Sequence, residues 1–71
     1  MSSIHTQEGA GKASYHMVRA GFIMQGTTLN EWCAENGTRI QNVRDAFFGR
    51  WKGPGADELV RRVTLASAGT V

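Results

Sequence analysis

The sequence predicts an all-α domain of four short helices, and three observations carry that prediction. Apolar residues recur at i, i+3, i+7 in two separate stretches, Tyr15–Val18–Phe22 and Ile40–Val43–Phe47, the spacing that lines one side of a helix. A glycine follows each of the first three helical stretches, at Gly26, Gly37 and Gly49, where helices commonly stop. No stretch alternates apolar and polar residues between hairpin signals, so no sheet is expected. The chain has 71 residues, enough for one domain. A domain of this size buries only about 60% of its unfolded surface, which leaves little room for a deep catalytic cleft.

The expected elements follow in order. Residues 1–12 are small and polar, with Ser2, Ser3, Thr6, Gln7, Gly9 and Gly11, and read as a flexible N-terminal arm that cannot build a core by itself. A first helix spans residues 13–25, with Met17 and Met24 beside the inward stripe and Gly21 weakening it by up to about 1 kcal/mol relative to alanine. Thr28-Leu29-Asn30-Glu31 is a capping box that opens a second helix over residues 29–36, with Leu29, Trp32 and Cys33 on one side. Thr38-Arg39-Ile40-Gln41 has the form of another box and predicts a third helix to about Phe48, with Ile40, Val43, Ala46 and Phe47 inward. Gly53-Pro54-Gly55 reads as a break. A fourth helix follows over about 56–66, with Leu59, Val60 and Val63 inward and Asp57 and Glu58 near its start, where the helix dipole favours acids. The domain proper is thus 13–67, and 68–71 reads as a frayed end.

Composition narrows the function. The net charge is +2 and the pI about 9.2, a mildly basic balance that permits nucleic-acid binding. Cys33 is the single cysteine; it excludes an intrachain disulfide and fits a reducing, cytoplasmic setting. It reads as an inert small core residue. There is no apolar run of membrane-spanning length, no secretory signal, no phosphate-binding glycine loop and no paired-cysteine zinc motif. His5 and His16 lack neighbours at metal-ligand spacing, although His16 could reach a phosphate. Glu31 and Glu35, four residues apart, offer no pocket for acid–base chemistry. No cofactor, metal, small-molecule substrate or enzymatic activity is expected.

Two short helices separated by a glycine have a specific steric logic. With Leu29 counted as first, Cys33 is fifth, where the helices approach and a small residue is needed. Gly37 is ninth, where the chain turns sharply and positive φ is favoured. Trp32, Val43 and Ala46 are fourth, fifteenth and eighteenth and fill the wedge between the helices. This is the layout of a helix-turn-helix, over about 28–48. The stretch 26–53 resembles the helix-turn-helix of small phage-type DNA-binding regulators, including Ner-like and Cro-like repressors. That resemblance implies transcription regulation, with a phage or prophage repressor acting on DNA in the bacterial cytoplasm. The full expectation is therefore a compact four-helix helix-turn-helix domain with a flexible N-terminal arm.

Removing the inward stripe from the third helix leaves Thr38, Arg39, Gln41, Asn42, Arg44 and Asp45. Arginine bridges guanine O6 and N7, and glutamine or asparagine bridges adenine N6 and N7. Arg39, Gln41, Asn42 and Arg44 are therefore the expected base readers in the major groove. Between Thr38 and Lys52 stand four bases and one acid, so Arg50 and Lys52, with Thr28 and Thr38, are the expected phosphate contacts. One such module covers few base pairs, and a homodimer on double-stranded DNA is expected, with Leu65 and Val71 as candidate self-association residues. Trp32 reads as core, and Trp51 either as a cover for the core edge or as a dimer contact. Two other readings remain: an architectural or recombination accessory DNA-binding protein, excisionase- or terminase-like, and a protein-interaction module on the same scaffold.

Overall fold

The computed structural model describes residues 6–69. The first helix, α1, spans Thr6–Met24. It thus begins before the residue 13 expected from the apolar stripe; residues 1–5 of the expected arm, with His5, lie outside the described residues. Tyr15, Val18 and Phe22 are buried at the spacing that the sequence predicts. Met17 and Met24 are 72% and 88% exposed, so they lie outside the inward stripe.

The second helix, α2, covers Leu29–Glu35. Its capping box forms as expected. The Glu31 N–H donates to Thr28 Oγ1 at 3.1 Å, and the Thr28 N–H donates to Glu31 Oε1 at 3.1 Å. Asn36 caps the other end, its side-chain amide donating to the Trp32 carbonyl at 2.8 Å. Gly37 then turns the chain at φ +66°. The Thr38 N–H reaches back to the Cys33 carbonyl at 2.9 Å, and the Gly37 N–H to Ala34 at 3.5 Å. These two bonds are the Schellman pattern, and its left-handed residue is why glycine stands there.

That turn corrects the expected start of the next helix. The third helix, α3, spans Ile40–Phe48, and its N-cap is Arg39 (φ −103°, ψ 142°), with no side-chain cap. Thr38 is held by the Schellman bond, so the chain needs one more extended residue before the helix opens. The Thr38–Gln41 box therefore does not form. The Gln41 amide instead donates to Asp45 Oδ1, one turn along, at 2.9 Å. Gly49 closes α3 in the left-handed region at φ +81°.

The fourth helix, α4, spans Pro54–Ser67, two residues ahead of the expected start. Pro54 opens the helix rather than breaking it: at the first helical position its missing N–H has no intrahelical partner to lose. Trp51 folds over the beginning of α4, its ring 3.1 Å from where a Cβ on Gly55 would lie. It remains 40% exposed. Residues 70 and 71, including Val71, lie outside the described residues.

The core joins Tyr15, Val18 and Phe22 of α1 to Leu29 and Cys33 of α2, Val43 of α3, and Leu59 and Val63 of α4. Trp32, Ile40, Ala46 and Phe47 pack against it, half-buried. Burial pushes the Cys33 thiol up, away from the reactive thiolate. The Arg62 guanidinium lies 5.5 Å over the Trp32 ring and shields its outer side. Helix α3 packs against both α1 and α4, and α2 against α1 and α3. The result is an all-α, compact four-helix domain, with no strand among the described residues.

Helix α1 meets its neighbours backbone to backbone at two places. A Cβ at Gly11 would stand 2.8 Å from the Phe47 carbonyl oxygen of α3, and one at Gly21 would run into the Ser67 carbonyl of α4. Beside Gly21, the Gln25 amide donates to the Ala66 and Ser67 carbonyls at 2.9 and 2.8 Å, satisfying acceptors at the end of α4. Gly21 is thus required by the α1–α4 contact. Gly21→Ala should lower stability by about 1–3 kcal/mol through overpacking, despite alanine's better helix propensity. A urea midpoint that rose on this substitution would contradict the close approach.

Candidate nucleic-acid interface

Helix α3 presents the side chains that the sequence singles out. Arg39, Gln41, Asn42 and Arg44 are all exposed, and Val43 between them is fully buried. Successive residues step round a helix by about 100°. Asn42 and Arg44 therefore leave on opposite flanks of the helix, with Gln41 and Asp45 on the crest between them.

The crest is not bare. Asp45 accepts from Gln41 and, at 3.3 Å, from the Arg50 guanidinium. The pair Arg50–Asp45 has side chains 65% and 27% exposed, so its worth is about 0–1 kcal/mol. It can exchange for a phosphate without a large loss. While it holds, Asp45 is neutralised and Gln41 is kept in one orientation. Arg50 and Lys52 follow on the basic turn after α3, both exposed.

The expected phosphate contacts at the turns fare differently. Thr38 is half-buried with its N–H taken by Cys33. Thr28 is exposed, but its amide is already bonded to Glu31, whose Oε1 also accepts from Thr27 Oγ1 at 2.5 Å. A carboxylate therefore stands at the opening of α2. What Thr28 keeps for an anion is its hydroxyl proton.

A feature outside the sequence-based set lies on the other flank of α3. An open groove runs between α1, the start of α2 and α3. Lys12, His16 and Arg19 line one wall, Thr28 and Asn30 the end, and Arg44 the facing wall. Tyr15, Leu29 and Ile40 form its apolar floor. Among the described residues the lining holds no carboxylate. The signal that could have revealed it is the run Lys12, His16, Arg19, Ile23 at i, i+4, i+7, i+11, a second helical stripe beside the apolar one. It also places Arg44 at the edge of a cationic groove, apart from Asn42.

No group of three His, Cys, Asp or Glu side chains that could hold a metal gathers among the described residues. No described helix is long and apolar enough to cross a membrane. Comparison with protein-family models, with curated proteins and with solved structures finds no match for this chain.

Proposed function

We propose that this domain is a sequence-specific double-stranded DNA-binding regulator that inserts α3 into the major groove. The observation that carries the reading is the exposure of Arg39 at the N-cap and of Gln41 and Asn42 on the short helix α3, set one glycine turn from α2, with Arg50 and Lys52 just after it. Guanidinium and amide groups are the side chains that pair with base edges in two-point fashion, and the flanking cations suit phosphates. The likeness of 26–53 to small phage-type regulators adds the regulatory role, repression by two copies on one DNA site. The exposed Met17, Met24 and Leu65 favour a second reading, a protein-docking module on this scaffold.

Selection of random duplex oligonucleotides by the purified protein, at two salt concentrations, tests both. A recovered consensus with defined half-site spacing supports the regulator. Binding to a protein partner with no enrichment of DNA supports the module. On the selected site, Arg39→Ala or Asn42→Ala should weaken binding by about 5–150-fold, the equivalent of 1–3 kcal/mol, with little change on random DNA. Lys52→Ala should weaken both DNAs alike. Identical behaviour of the two kinds of variant would overturn the division into readers and anchors.

A further inference from the structure

The cationic groove between α1 and α3 shares only Arg44 with the expected base readers, and its chemistry points to one kind of occupant. We infer that it is a second track for the DNA sugar–phosphate backbone, in which Lys12, Arg19 and Arg44 neutralise phosphates without regard to sequence. The inference rests on the DNA-binding reading above and extends it to a part of the surface that the helix pair does not include.

Three observations carry it. The walls bring together three cations from two helices, with His16, Thr28 and Asn30 as further polar groups; no carboxylate is among the described lining residues, and Glu31 stands behind Thr28 at the groove's end, bonded to its amide. Arg19 and Arg44 are exposed and belong to neither described salt bridge, which are Arg50–Asp45 and Arg61–Glu58. The groove is partly open, and its α1 side runs from Lys12 to Ile23, about 16 Å along the helix. Lys12 and Arg19 are seven residues apart, about 10 Å along the helix, comparable to the rise of about three nucleotides of one strand. An elongated polyanion satisfies such a row, and a single small anion does not. The groove also adjoins α3 through Arg44, so a strand bordering the major groove would continue into it. Arg44 therefore serves phosphates, and base reading falls to Arg39, Gln41 and Asn42.

The test is fluorescence anisotropy on the full chain with two labelled duplexes, the selected site and a scrambled sequence, across a salt series. Lys12→Ala/Arg19→Ala should lose at least about tenfold in affinity on both duplexes. Its slope of log affinity against log salt should be shallower by about 1.8, from two contacts at about 0.9 each. Arg44→Ala should lose affinity on both duplexes alike. Arg19→Lys, which keeps the charge, should keep the slope. All these side chains are exposed, and unchanged melting curves verify that the variants fold.

Wild-type affinity and slope in the double variant, with Asn42→Ala still impaired on the selected site, would overturn the groove and leave the DNA reading standing. Loss confined to the selected site in Arg44→Ala would return that residue to base reading and remove it from the track. Failure of the wild-type protein to bind either duplex would end the DNA reading, and this inference with it.

Discussion

Phe22→Ala is expected to remove most of the domain's stability. Phe22 is 2% exposed and stands in the core that all four helices share, its ring 6.2 Å from that of Trp32. Truncating a buried phenylalanine costs about 3–5 kcal/mol, part transfer and part cavity. A chain of this length has a total of only about 4–10 kcal/mol. Urea unfolding followed by far-UV circular dichroism should show the midpoint falling to half its value or lower. Met24→Ala is the control. It lies two residues away and 88% exposed, so its effect should stay within about 0.5 kcal/mol. Equal losses from the two would mean that the core is not where Phe22 lies.

The second large effect is on binding. If Lys12, Arg19, Arg44, Arg50 and Lys52 each neutralise one phosphate, five contacts give a slope of about −4.5 for log affinity against log salt. Going from about 50 to 200 mM salt should then weaken binding by about 500-fold per protein copy. A domain that docks onto another protein instead would show little such dependence for any residual DNA affinity. The breadth of the cationic surface sets this number, and the three groove cations account for more than half of it. A slope near −2 would leave only the basic turn after α3 in contact.

How far the sequence shows these features depends on whether each element's cause is local. Helices α2 and α3 are legible because their signals lie within a few residues: the Thr28–Glu31 box, the glycine at 37 and the glycine at 49. The stripes of α1 and α3 are legible because burial follows helical spacing. The readings that change involve competition between local signals. Thr38 has the side chain of an N-cap, but its backbone N–H is claimed by the preceding turn, and Gln41 finds an acceptor in Asp45, a pairing that helices favour at i, i+4. Pro54 is compatible with both a break and a first helical position, and only packing decides between them. The groove is less legible still. Lys12, His16 and Arg19 form a stripe on α1, but Arg44 joins them only once α3 has packed against that helix.

The two backbone contacts of α1, at Gly11 and Gly21, act as stops at either end of one stretch of chain. Inserting or deleting a single residue between them would rotate one glycine out of its contact by about 100° and bring a side chain against a carbonyl. The ten-step interval from 11 to 21 therefore tolerates exchange of its outward residues but not a change of length. Natural variation in length among related chains, or a loop grafted by design, should accumulate on either side of this interval. The spacing of Lys12 and Arg19, enclosed within it, is held constant by the same stops.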